Sequence, residues 1–256
     1  MPASIPRLCL RDLHKRLGER DVLSGVSIDV EAGRSLVILG GSGAGKSVTL
    51  KCALGLMTPD AGQVLVDGED VTNVPAAQRA RLNRKFGMLF QGGALFDSMP
   101  VWENVAFRLI YAERMSRRKA REAAIETLRR VRLGPEHADK FPIELSGGMQ
   151  KRAALARAIV SKPKILFFDE PTTGLDPITS DAINDLIVEM VRDLGCAALS
   201  ITHDIASAQK IGDECAMLYQ GKIIWRGPAA QLRSSGDERV DQFVNGRSIG
   251  PIASVG

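Results

Sequence analysis

Ser35-Leu36-Val37-Ile38-Leu39-Gly40-Gly41-Ser42-Gly43-Ala44-Gly45-Lys46-Ser47 runs an uncharged strand directly into the pattern G-x-x-x-x-G-K-[ST]. Ser35–Leu39 reads as a strand buried on both faces, and helical spacing begins after Gly45. Between the two, glycines let the backbone curl so that successive N–H groups converge on an anion, and the helix start adds positive partial charge. Phosphate is the group that such a loop holds. Gly40, Gly41, Ser42, Gly43, Ala44 and Gly45 form the expected cradle, Lys46 is placed to reach β- and γ-phosphates, and Ser47 to ligate Mg²⁺.

Upstream, residues 8–13 and 22–30 read as strands, separated by Gly18-Glu19-Arg20-Asp21 and closed by Glu31-Ala32-Gly33. Val26, Ile28 and Val30 alternate with Ser27, Asp29 and Glu31, the mark of a half-buried strand. Downstream, residues 102–133 read as all helix, ended by Gly134-Pro135. Ala124, Leu128 and Val131 recur at helical spacing there, with Glu126 and Arg130 as an outer pair.

Strand and helix then alternate: residues 165–168, a helix over 178–194, Ala197–Thr202, a helix from Ile205 and two strands around Gly221. Ile183, Leu186, Ile187, Met190, Val191 and Leu194 make one apolar stripe on the 178–194 helix. Such alternation implies a parallel sheet covered by helices. From Ser234 to Gly256 the chain reads as a tail with a short amphipathic piece at 240–244, whose Val240, Phe243 and Val244 have no evident core to join.

Two further constellations carry chemistry. The apolar run 165–168 ends in Asp169-Glu170, which sets two carboxylates at the C-terminal edge of a parallel strand, where ligands of open α/β sheets bind. Asp169 would hold Mg²⁺, directly or through water, and Glu170 would polarise an attacking water. An acid pair after a strand is common; one that follows a phosphate loop carries more weight. Leu145-Ser146-Gly147-Gly148-Met149-Gln150 is a second anion-binding helix start, with a hydroxyl and free backbone N–H groups facing outward. One nucleotide does not readily use both loops of one chain.

With these motifs in this order, the sequence resembles the ABC ATPase family over nearly its whole length. Residues 145–149 match the family's LSGGQ signature, with Met149 in the usual glutamine place. The resemblance implies an α/β fold: a P-loop NTPase core with a mostly parallel sheet, an antiparallel β subdomain and an α-helical subdomain. It implies one cassette over residues 1–235, with the helical subdomain inserted at about 92–160, and a tail over 236–256. Gln91 is similar to the family glutamine that senses Mg²⁺ and the γ-phosphate, Asp176 to the aspartate that contacts the facing subunit, and His203 to the γ-phosphate histidine. Two copies would close head to tail, each ATP held between residues 40–47 of one chain and Ser146, Gly147 and Gly148 of the other. At the place where family members commonly stack an aromatic ring under adenine, this chain has Leu17.

Only 54 residues separate Gln91 from Ser146, too few for the long coiled coil of chromosome or repair ATPases. The segments 89–99, 144–149 and 241–246 resemble the Mla-type ATPases that energise phospholipid movement across Gram-negative envelopes. That resemblance implies transmembrane permease subunits, a periplasmic lipid-binding subunit, a small cytosolic regulatory subunit and a peripheral position on the cytoplasmic face of the inner membrane. Phe96, Met99 and Trp102 are expected to be partly exposed and to receive a permease helix.

Composition sets the outer limits: 256 residues, 45% hydrophobic and 25% charged, describe a globular protein. No apolar run approaches the roughly 20 residues that a membrane helix needs. Residues 1–7 lack the succession of a secretory signal, and Cys9, Cys52, Cys196 and Cys215 form no C-x-x-C pair, which suggests buried thiols in a reducing compartment. Net charge is +4, concentrated at Arg79, Arg81, Arg84 and Lys85 and at Arg114, Arg117, Arg118, Lys119 and Arg121. Two other readings share parts of the pattern. One is the ATPase of an importer for a polar solute such as an amino acid; the other is a soluble ATPase acting on nucleic acid, which only the basic clusters support and which is not expected.

Overall fold

Strand periodicity divides the interior in two. In the computed structural model, which describes residues 5–252, the central sheet runs in the order β10(Lys222–Pro228), β9(Glu214–Tyr219), β3(Ser35–Leu39), β8(Ala197–Thr202), β7(Ile165–Asp169), β6(Phe86–Leu89). All neighbours are parallel except β10 on β9. Successive side chains point to opposite faces. Val37, Leu39, Leu166 and Phe168 therefore join the core on the helical side, while Leu36, Ile38, Ile165 and Phe167 join the core on the other side. Residues 165–168 are completely buried, as the uncharged run requires.

That second core is closed by an antiparallel sheet, β2(Arg20–Val30), β1(Leu8–Leu17), β4(Ala61–Val66), β5(Glu69–Asp70), together with α1(Lys46–Leu54). The hairpin between β1 and β2 turns at Gly18-Glu19, a tighter turn than the expected residues 18–21, because Arg16↔Asp21 and Leu17↔Arg20 extend the pairing. A short α2(Ala76–Asn83) precedes β6.

The middle region is helical as expected, divided into α3(Val101–Tyr111) and α4(Arg117–Arg130). Arg114 adopts φ +58°, and Met115 N–H bonds back to the Leu109 carbonyl at 2.8 Å, which turns the chain between them. Ala124, Leu128 and Val131 are fully buried as expected, but the outer pairing differs: Glu126 meets Arg129 at 3.2 Å, and Arg130 reaches Asp193 at 3.5 Å. Then follow α5(Gly147–Ile159), α6(Pro177–Leu194) and α7(Ile205–Ile211). Five residues of the α6 stripe are buried, and Leu194 packs at their edge.

The tail departs from expectation. In α8(Glu238–Val244), Val240 and Val244 are buried in the same core as Ala229 and Leu232, and Phe243 packs against it. Gln242 then clips the following segment: its Nε2 donates to the carbonyls of Arg247 and Ile252, and its Oε1 accepts from Ile252 N–H at 2.7 Å. The apolar face is thus used within the chain. Residues 1–4 of the N-terminal reading and 253–256 of the tail lie outside the described residues.

All four cysteines are buried as free thiols. Burial pushes Cys52 and Cys196 up to about 11 and Cys215 up to about 12. Native protein should resist iodoacetamide at pH 8 and alkylate at four positions in guanidinium; rapid native labelling would contradict this packing. The linkage has a definite sign. Above the ordinary thiol pKa of about 8.5 the unfolded chain ionises while the folded one does not, so stability should fall as pH rises toward 11.

Candidate active site

The phosphate loop is wedged between strands. At Gly40 a Cβ would lie 2.4 Å from the Leu218 carbonyl oxygen, and at Gly45, with φ +109°, 2.8 Å from the Val22 carbonyl oxygen. Only glycine fits either place. α1 starts at Lys46 with no side-chain cap and no acidic residue in its first turn, so its N-terminal dipole and N–H groups remain available to an anion. Lys46 Nζ folds over the loop and donates to the carbonyls of Gly40 at 2.6 Å and Gly41 at 3.0 Å. Burial lowers its pKa, while Glu170 and Asp169 act in the opposite direction. Ser42, Gly43 and Ser47 are exposed on the loop, and Ala44 is buried beneath it.

Sheet register brings the acids to this loop. Leu39 pairs with Thr202 and Asp169 with Ile201, so the ends of β3, β7 and β8 form one edge. Asp169 has its pKa raised, first by burial and then by Glu170, with Lys51, Lys151 and Lys46 opposing. A carboxylate so placed fits a cation. Among the described residues no cluster of three or more His, Cys, Asp or Glu could hold a metal ion. Mg²⁺ needs no such cluster, since it is held by one or two protein oxygens together with substrate phosphates.

Glu170 has φ +47°, rare for a residue with a side chain. Its Oε2 accepts from Thr202 Oγ1 at 3.1 Å and Thr173 Oγ1 at 3.2 Å, and His203 Nδ1 lies 2.9–3.0 Å from its carboxylate oxygens. Glu170 is thereby aimed by three side chains. The two threonines are not singled out from sequence; the hydroxyl residue directly before His203 was the available signal. Beside them a cleft of about 390 Å³ opens between Thr172–Asn184 and His203–Ala206, next to Glu170 rather than over the phosphate loop.

The remaining candidates occupy other elements. Gln91 is exposed just beyond β6, and its backbone carbonyl accepts from Lys151 Nζ. Ser146 N-caps α5, its Oγ accepting from Met149 N–H at 3.3 Å. Gly147 and Gly148 lie close to Leu175 and Thr179. Asp176 caps α6 within the same chain, accepting from Ile178 N–H, Thr179 N–H and Thr179 Oγ1, bonds that hold its carboxyl below the usual range. Leu17 is 43% exposed at the end of β1.

Among the expected docking residues, Phe96 is exposed and Met99 half-buried, but Trp102 is buried. The Arg117 guanidinium covers the Trp102 ring at 5.2 Å and is held there by a forked bond to Glu103. The accessible aromatic surface is instead a tilted row in which exposed Phe96 and Tyr111 flank half-buried Phe107, with centroids 4.8 and 4.7 Å apart.

Residues 23–173 match the family model described as ABC transporter. The chain belongs to this family. It is 40% identical over 243 residues to the "probable ribonucleotide transport ATP-binding protein mkl" of Mycobacterium leprae, covering 95% of this chain and 70% of that protein. It is 38% identical over 246 residues to the "intermembrane phospholipid transport system ATP-binding protein MlaF" of Escherichia coli K12, covering 95% and 90%. A dimeric ATP-binding cassette solved in a post-hydrolysis state with ADP and phosphate superposes with a TM-score of 0.79 at 30% identity, covering 87% of this chain and 98% of that one. The fold is that of an ABC ATPase cassette, and the chain is an ATP-hydrolysing member of the family. Among the described residues no helix is long and apolar enough to cross a membrane.

The packing of the loop separates two neighbouring glycines. Gly40→Ala must displace the Leu218 backbone and should lower the melting temperature by about 3–10 °C. A Cβ at Gly41 meets nothing within 4 Å, so Gly41→Ala should melt with the wild type. Equal melting of both variants would contradict the wedged loop.

Proposed function

We propose that this chain is the ATP-hydrolysing subunit of a lipid transporter, two copies closing head to tail on the cytoplasmic side of transmembrane permease subunits. The observation that carries the reading is the single edge shared by Lys46, Asp169, Glu170 and His203, with a separate helix start at Ser146 that lies on another layer. Residues 1–235 are the cassette, with a helical insertion at about 92–160, and 236–256 the tail.

Within each site the N–H groups of residues 40–47 and Lys46 would bind the β- and γ-phosphates, with Lys46 giving up its loop carbonyls to do so. Ser47, Asp169 and Gln91 would hold Mg²⁺, which neutralises charge on the phosphate oxygens when bound. Glu170 would take the proton of the attacking water, and His203 would orient Glu170 and reach the γ-phosphate. From the facing copy, Ser146, Gly147 and Gly148 would donate to the same γ-phosphate, and Asp176 would sit at the shared boundary. Closing then buries phosphate between two anion sites, and hydrolysis removes the bond that spanned them.

The phospholipid cargo is supported by MlaF, 38% identical over most of both chains. The mkl protein, named for ribonucleotide transport, supports a polar cargo instead. The aromatic row Phe96–Phe107–Tyr111, exposed at its two ends, suits a permease helix, while a periplasmic lipid-binding subunit and a small cytosolic regulator would complete the assembly. Support for nucleic acid is confined to the basic clusters, and four of their nine residues are ion-paired within the chain: Lys85 with Asp67, Arg117 with Glu103, Arg118 with Glu122 and Arg121 with Asp139.

Glu170→Gln should bind ATP normally and hydrolyse it about 10²–10⁴-fold more slowly, whereas Lys46→Ala should lose nucleotide binding. Wild-type turnover in Glu170→Gln would remove the base assignment. For the cargo, tagged chain drawn from gently solubilised membranes should bring down a multi-span permease and phospholipid; a permease carrying nucleotides or amino acids would keep the motor and replace the cargo.

A further inference from the structure

Helix α5 holds more than its own N-terminal loop. Lys151 Nζ donates to the Gln91 carbonyl, and Arg157 donates from Nη1 to the Ala94 carbonyl and from Nη2 to the Gly93 carbonyl, both at 2.6 Å. Two cations of one helix thus spend their donors on the backbone of a four-residue segment. Lys151 is only 6% exposed. Burial lowers its pKa, and the nearby Asp169 and Glu170 act to keep it charged. Arg157 is likewise desolvated.

The segment they grip has no strand or helix of its own. Gly93 and Ala94 are consecutive left-handed residues, with φ +74° and +50°, and Gly93 N–H bonds to the Phe90 carbonyl at 2.8 Å. A side-chain-bearing residue keeps that conformation only where its surroundings hold it. Arg157 is what meets both carbonyls of this turn, and Lys151 meets that of Gln91, two residues before Gly93.

We propose that Lys151 and Arg157 are positioning residues that fasten residues 91–94 to α5, so that the helix whose start receives one phosphate also sets the reach of Gln91 toward another. The proposal rests on the reading of Gln91 as a γ-phosphate and Mg²⁺ contact. Because Ser146 caps the same helix, a displacement of α5 on engaging the facing copy's nucleotide moves Gln91 within the chain's own site. The two sites of the pair are linked through one rigid element.

The test uses the full chain with Lys151→Met, which replaces the buried ammonium by an apolar side chain of similar length, and Arg157→Lys, which keeps the charge and loses the fork. Each is made alone and on Gln91→Ala. In either variant kcat should fall about 10- to 100-fold. The Kd for ATP should stay within about twofold of the wild type. Amides of 91–94 should exchange hydrogen faster while those of α5 do not, and neither substitution should slow Gln91→Ala further. Losses that multiply with Gln91→Ala, or wild-type kcat and exchange in both variants, would overturn the proposal. If Lys151→Met does not fold, Arg157→Lys decides. Should Gln91→Ala keep wild-type kcat, the reading of Gln91 falls and this proposal with it; a slow Gln91→Ala beside inert Lys151→Met and Arg157→Lys leaves that reading standing and removes the clamp alone.

Discussion

Strands β3, β7 and β8 are buried on both faces, so the only place they can offer chemistry is at their ends. Parallel pairing then puts those ends together: Leu39 beside Thr202 and Asp169 beside Ile201 fix where the phosphate loop, the two acids and His203 emerge. Everything else in the site follows from that register. A slip of one residue would turn Phe168 and Leu39 out of their core and would separate Glu170 from Thr202 and His203.

Electrostatics at this edge are built for a polyanion and a cation together. Lys46 is partly desolvated and occupied by loop carbonyls, and Asp169 is half-buried beside a second carboxylate, so burial lowers the pKa of the one and raises that of the other. On the proposed reading, a phosphate chain would offset the charge of Lys46 and a divalent ion that of Asp169. Glu170, by contrast, is held in a strained backbone conformation by hydroxyls and an imidazole, an arrangement suited to orienting a base.

Much of this was legible in the sequence because it is local chemistry. Glycines at 40 and 45 report backbone shape, the uncharged run 165–168 reports burial on two faces, and the acids after it report the strand's end. What the sequence concealed depends on distant partners. Helical periodicity continues past Tyr111 and masks a turn that Arg114 makes with positive φ. Trp102 looks available until Arg117, fixed by Glu103, covers it. Val240 and Val244 look unpartnered because Ala229 and Leu232, which they join, lie in a short 3-10 helix, Ala229–Ser234, too brief to show a periodicity of its own. Lys151 and Arg157 read as ordinary helix charges, and only tertiary structure shows them on the 91–94 carbonyls.

On the proposed function, one ATP is shared by the phosphate loop of one copy and the Ser146 helix start of another. Because the four native cysteines are buried, Ser42→Cys and Ser146→Cys can be placed on separate copies of Glu170→Gln and joined with a short bis-maleimide against a silent background. A covalent dimer that forms with ATP and Mg²⁺, and not with ADP or with Lys46→Ala, is the predicted result. Equal cross-linking with and without nucleotide, or none at all, would contradict the shared site.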